Sequence, residues 1–134
     1  MQALVLVAHG SRRQASNQEV INLANGLRQQ ASKRYQIVEA GFLELANPSI
    51  PEAIESCIQS GATAVNVVPY FLAAGRHVVE DIPGIVESVA ERHGDVSIRI
   101  AEHIGISELM IQLILDAADA MNKQTIDPGR TQAG

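Results

Sequence analysis

The sequence has one cysteine, no apolar run long enough to cross a membrane, no basic stripe and no glycine-lysine phosphate loop. Each absence removes a class of protein. Cys57 stands alone, so no disulfide can form within the chain, and its helical spacing from Ile54 and Ile58 reads as a core position. The longest apolar run falls far short of the roughly 20 residues that a membrane-spanning helix needs. No signal-peptide pattern opens the chain, since no charge precedes Leu4 and polar residues soon follow, so a cytoplasmic protein with no membrane partner is expected. A formal net charge of −5 argues against a general nucleic-acid binder. Gly10 is followed by Ser-Arg-Arg and Gly75 by Arg-His, with no Gly-Lys-Ser/Thr anywhere, so no Walker-type loop and no nucleotide cofactor are expected.

What is present is a regular alternation of apolar blocks, at 46% hydrophobic residues, over a chain of 134 residues that is long enough for one domain and too short for two. The run Ala3-Leu4-Val5-Leu6-Val7-Ala8 stops abruptly at His9-Gly10-Ser11-Arg12-Arg13, which reads as a buried strand carrying a histidine at its tip. Ser16 to Glu19 has capping-box spacing, and Val20, Leu23, Ala24, Leu27 and Ala31 then recur at helical period, predicting a helix over 17–33. Gln36 to Leu43 reads as a second strand. Ser49 and Glu52 repeat the capping signature before a helix stopped by Gly61. Ala64 to Phe71 is a third strand, followed by the small-residue loop Leu72 to His77. Asp81 then reads as the cap of a helix that carries Pro83 in its first turn and Ile82, Ile85, Val86 and Val89 on one face. Val96 to Ala101 is a fourth strand, and Ile106 to Met121 a last amphipathic helix. The domain is expected to span 1–121, with 122–134 a polar, frayed tail containing Asp127-Pro128-Gly129.

This alternation implies an α/β fold with a four-stranded parallel sheet and helices on both faces. Strands one and three are almost wholly apolar, whereas strand two carries Gln36 and Glu39 and strand four alternates Ile98-Arg99-Ile100. Central places for the first pair and edges for the second give the order 2-1-3-4. In that order the winding reverses between strands one and three, where flavodoxin-like folds bind ligands. The loops after those strands carry His9 and His77, and Glu44 ends strand two on the same edge. Imidazole and carboxylate together suit Fe, Co, Ni or Zn and are proton acceptors near neutral pH. His93, at a helix end before Gly94, reads as structural; the sequence assigns no role to His103, and Glu80 and Asp81 read as acids at a helix N-terminus rather than as metal-delivery groups.

Three blocks, Val7-Ala8-His9-Gly10-Ser11-Arg12, Phe42-Leu43-Glu44-Leu45-Ala46-Asn47-Pro48-Ser49, and Val68 to Val78 with Glu80-Asp81-Ile82-Pro83, resemble the signatures of the small class II chelatases, the sirohydrochlorin cobaltochelatase and ferrochelatase family of cobalamin and siroheme synthesis. The resemblance runs in the right order to about Met121. It implies a flavodoxin-like, chelatase-like domain that inserts Co2+, Fe2+ or Ni2+ into a tetrapyrrole without nucleotide, cobalt slightly before iron, with a homodimer as the assembly. His9 would be proton acceptor and metal ligand, His77 the other metal ligand, and Glu44 a substrate- or metal-handling carboxylate. Leu72, Ala73, Ala74, Gly75 and Arg76 would lie against the macrocycle, with Ser11 and Arg12 completing the substrate-binding set. The histidine-rich tail of some relatives is missing.

Inserting a metal requires shedding its water and removing protons from the inner pyrrole nitrogens, for which neutral imidazoles serve as exchangeable ligands and as bases. Small residues at 73–75 let a flat ring approach backbone closely, and exposed N–H groups there could hold its carboxylates. Two other readings use the same residues: a histidine-dependent phosphotransfer enzyme, in which an arginine rather than Ala8 would be expected before the histidine, and a carrier that keeps the metal or tetrapyrrole it binds.

Overall fold

In the computed structural model, which describes residues 1–123, the chain forms one parallel sheet of β1 (Gln2–Ala8), β2 (Ile37–Phe42), β3 (Ala64–Pro69) and β4 (Ser97–Ile100) in the order β2-β1-β3-β4. The polar tail expected at 122–134 lies, from residue 124 on, outside the described residues. The sheet order is the one the strand polarities predict, because β1 faces protein on both sides. Ala3, Val5 and Val7 point to one core cluster with Val65, Val67, Ile54 and Ile82; Leu4, Leu6 and Ala8 point to a second with Val20, Val38 and Phe42. The helices are α1 (Gln14–Gln30), α2 (Ile50–Gln59), α3 (Ile82–Glu91) and α4 (Leu109–Met121). α1 covers β2 and β1 on one face, and α2 and α3 cover the other. Cys57 is fully buried, and burial pushes its thiol up to about 12. No helix among the described residues is long and apolar enough to cross a membrane.

Three helix starts test the capping signals. At α2 the reading holds: Ser49 accepts from the Glu52 amide and Glu52 returns to the Ser49 amide, a closed capping box. α1 starts earlier than its Ser16 signal, at Gln14, and Asn17, which follows that signal, is buried in the helix with its amide turned onto Ser11. Asp81 is not a cap. A π-helical turn over His77–Asp81 runs straight into α3, so Asp81 has helical backbone and its carboxylate turns back to His77.

The last helix also departs from its pattern. Its apolar residues do not pack on the sheet: Leu109, Ile111, Leu113 and Ile114 are each more than 60% exposed, and α4 buries no residue. Ile111 and Leu115 put apolar side chains beside the stripe at 109, 110, 113 and 114, so the helix is apolar nearly all round its first two turns.

Opposite the functional edge, the carboxylate of Glu55 receives His93 Nε2 at 2.9 Å to both oxygens and Arg92 at 3.1 Å, joining α2 to the end of α3. The hydrogen bond from His93 holds the Glu55 carboxyl below its ordinary 4.5. A carboxyl lowered by folding stabilises the fold above its unfolded value and loses that effect as pH falls through the folded one. Urea unfolding of Glu55→Gln should therefore show a lower midpoint than the parent at pH 7, with the gap closing as pH drops below 4.5. An equal gap at pH 7 and pH 3 would mean that the ionised carboxylate is not what stabilises this joint.

Candidate functional site

His9 is placed by backbone rather than by its own contacts. Beyond β1 and β2 the two chains continue side by side, the amide of Leu43 donating to the Ala8 carbonyl at 2.9 Å and that of Glu44 to the His9 carbonyl at 3.0 Å. Gly10 then turns the chain at φ +93°, and a Cβ there would lie 1.7 Å from the Glu44 carbonyl oxygen. Only glycine accepts both conditions. Asn17 fixes the next residue, accepting from the Ser11 amide at 2.9 Å and donating to the Ser11 carbonyl at 2.8 Å.

The second histidine comes from the β3 side. Tyr70 donates its amide to the Val7 carbonyl at 2.7 Å, which carries the β1–β3 pairing past the strand end. The loop that follows is held from below at Gly105, in the short 3-10 turn Ile104–Ile106: its amide donates to the Phe71 carbonyl at 3.0 Å, and a Cβ on it would lie 1.8 Å from the Leu72 oxygen. Leu72 to Arg76 are all exposed. The Gly75 carbonyl then receives Val78 and Val79 amides, both at 3.1 Å, to start the π-helical turn.

These supports bring His9 and His77 face to face, with ring centroids 4.8 Å apart and planes 25° apart. Each ring has a carboxylate behind it. His9 Nε2 lies 3.2 Å from Glu44 Oε1, and His77 Nδ1 lies 2.7 Å from Asp81 Oδ2. A neutral imidazole donates from one nitrogen and accepts at the other, so the hydrogen bond to Asp81 places the His77 proton on Nδ1, while His9 and Glu44 stand at ion-pair distance. That leaves the lone pair of His77 Nε2 without a protein donor among the described residues. Among the described residues no three His, Cys, Asp or Glu side chains form a metal cage. Two imidazoles on an open edge, each about half exposed, differ from the closed four-ligand set of a structural zinc.

The other expected site residues divide. Ala73, Ala74 and Gly75 expose their backbone, their amides have no protein acceptor among the described residues, and a Cβ on Gly75 would meet nothing within 4 Å. Arg12, three residues after His9, is exposed. Arg76 reaches Glu80 at 3.7 Å, and the Ser11 hydroxyl accepts from the Arg13 amide at 3.0 Å, so both have local partners. His103 lies half-buried at the start of the turn that supports the Leu72 loop. The apolar residues Leu45, Tyr70, Leu72 and Val79 are exposed on the segments that carry the site, a concentration unexpected for a surface with nothing to bind. A depression of about 520 Å³ lies beside the rings, lined by Leu43, Glu44, His77, Glu80, Asp81 and Ile85. Sequence reasoning missed Asp81 as the partner of His77, Asn17 as the clamp on Ser11, and Gly105 as the seat of the loop; the i, i+4 spacing of His77 and Asp81 was the one available signal.

The sirohydrochlorin cobaltochelatase of Methanocaldococcus jannaschii is 34% identical over 142 aligned positions, covering 88% of this chain and 98% of the relative. The sirohydrochlorin ferrochelatase of Bacillus subtilis is 36% identical over 84% of this chain but only 42% of its own length. The crystal structure of the sirohydrochlorin chelatase SirB from Bacillus subtilis subspecies spizizenii, in complex with cobalt, superposes with a TM-score of 0.79 at 30% identity, over 90% of this chain and 50% of that one. The chain thus spans one such relative almost completely and about half the length of the other two. With its paired histidines at the reversal of a 2-1-3-4 sheet and a match to the CbiX family model over residues 3–120, this chain belongs to the CbiX family.

Proposed function

We propose that this chain inserts a divalent metal into sirohydrochlorin without nucleotide, acting as a symmetric homodimer, with Co2+ slightly preferred to Fe2+ and Ni2+ also accepted. The observation that carries the reading is the stacked His9–His77 pair, each ring backed by a carboxylate at the open sheet edge. Cobalt is favoured because the cobaltochelatase relative is matched almost end to end, whereas the ferrochelatase is more than twice as long as the segment matched. The double length of those relatives also supports a dimer, since one copy supplies only one wall for a macrocycle.

The reaction replaces two inner pyrrole protons by one divalent ion. The incoming metal exchanges water for His9 Nδ1 and His77 Nε2, which hold it loosely enough to give it up. As it passes to the ring nitrogens, the vacated His9 accepts the two pyrrole protons one after the other and releases each through the Glu44 carboxylate, 3.2 Å away, to water. The Asp81 contact holds the His77 ring with Nε2 forward. The free amides at 73–75 and Arg12 take the carboxylates of the substrate, and Leu72 and Tyr70 lie against its flat face.

The test is anaerobic incubation of purified protein with sirohydrochlorin and each metal in buffer free of ATP, followed by absorbance. Metallation well above the protein-free rate, with no acceleration by ATP, is expected. An absolute ATP requirement, tight binding of metal or tetrapyrrole without turnover, or phosphatase activity lost with His9 would overturn the proposal.

A further inference from the structure

Among the described residues, Leu45 is the one residue other than glycine with a left-handed backbone, at φ +64°. Glycine and asparagine enter that region readily, whereas leucine does so rarely and at a cost. The fold explains the turn. Leu43 packs on the core cluster beneath α2 and α3, and Ala46 packs on the cluster beneath α1, so the chain crosses the sheet edge between them. The crossing closes where the Phe42 amide donates to the Pro48 carbonyl at 2.9 Å.

The fold does not explain the leucine. Leu45 is 50% exposed, so burial within the chain offsets little of its backbone cost. Glycine or asparagine would make the same turn with less strain. Strained residues concentrate where ligands are gripped, and Leu45 stands at such a place. It follows Glu44, whose carboxylate lies 3.2 Å from His9 and whose carbonyl oxygen sits against Gly10. Of residues 43–48 only Glu44, Leu45 and Asn47 are exposed, so Leu45 is the apolar side chain this loop offers to a flat ring. β2, which leads to Leu45, and β3, which leads to Leu72, flank β1, and two strand spacings put their ends about 10 Å apart with His9 between them. Leu45 and Leu72 are both exposed.

We infer that Leu45 is a substrate-contact residue, supporting the face of the macrocycle on the β2 side of His9 as Leu72 does on the β3 side. The ring then lies across the strand ends on two aliphatic supports, and its arrival covers the apolar surface that folding leaves in water. The inference rests on the sirohydrochlorin reading above and adds the contact on the side of the ring away from the Leu72 loop.

The test compares Leu45→Gly, Leu45→Asn and Leu45→Met in the full chain by titrating sirohydrochlorin absorbance without metal, so that binding is read apart from chemistry. Glycine and asparagine adopt φ +64° more readily than leucine, so the urea midpoints of those two variants should match or exceed the parent's. Both should weaken sirohydrochlorin binding about tenfold, the order expected when the exposed half of a leucine is no longer covered. Leu45→Met keeps a long apolar side chain and should bind within about twofold of the parent. In the metallation assay KM should rise with the dissociation constant while kcat changes little. Parental affinity in Leu45→Gly and Leu45→Asn would overturn the contact and leave the chelatase reading standing. So would equal losses in all three variants, or a loss of affinity that tracks a falling urea midpoint. A parent that binds sirohydrochlorin without metallating it would overturn the chelatase reading, while the three affinities still decide the contact; a parent that does not bind it would overturn both.

Discussion

Replacing His77 by alanine should lower the metallation rate by about 10²- to 10⁴-fold, the range lost when a positioned acid–base or ligand group is removed, and His9→Ala should do the same. Stability should barely change. Both side chains are about half exposed, and their carboxylate contacts are surface pairs of the kind that contribute little to folding. The urea midpoints of both variants should therefore match the parent, which separates lost chemistry from lost fold. Asp81→Asn gives an intermediate case: it keeps the ring but weakens the contact that holds His77 Nε2 forward, and a fall of about 10- to 100-fold is expected. Near-normal turnover in either histidine variant would remove that residue from the site.

Gly10→Ala should damage fold and activity together. Alanine at φ +93° costs about 1–2 kcal/mol in backbone conformation alone. Its Cβ would also stand 1.7 Å from the Glu44 carbonyl oxygen, so the two chain segments must separate, and such overpacking adds about 1–3 kcal/mol. The segments that part are those that set His9 against Glu44. A displacement near 1 Å at a reacting group costs on the order of 10²-fold, so kcat should fall by about that factor while the urea midpoint drops. A stable Gly10→Ala protein with parental kcat would show that the Gly10–Glu44 contact does not set the histidine.

The parts of this protein legible in its sequence are those governed by burial. β1 is apolar from Ala3 to Ala8 because both of its faces are covered and β3 is apolar apart from Asn66, and those runs placed the two strands centrally and put His9 and His77 on neighbouring loops. The carboxylate at Glu44 followed from the same order. What escaped were features decided by backbone geometry that leaves no periodic trace. Asp81 two residues before Pro83 has the composition of a helix start, and only the π-helical turn over His77–Asp81 makes it an interior residue able to reach back to the ring. Asn17 sits inside a capping signature that the chain does not use, because its side chain finds both groups of Ser11 instead. Gly105 looks like any loop glycine until Leu72 is seen against it. For α4, the apolar stripe predicts a buried helix, whereas the helix buries no residue among those described.

The shared action of the two histidines is tested most directly by measuring metallation rates for His9→Ala, His77→Ala and the double variant under one set of anaerobic, nucleotide-free conditions. If both rings hold one ion, removing the second from a site already broken removes little more, and the double variant should react within a few-fold of the slower single variant. Losses that multiply, so that the double variant falls by the product of the two single effects, would show two independent contributions and contradict a single site at His9 and His77.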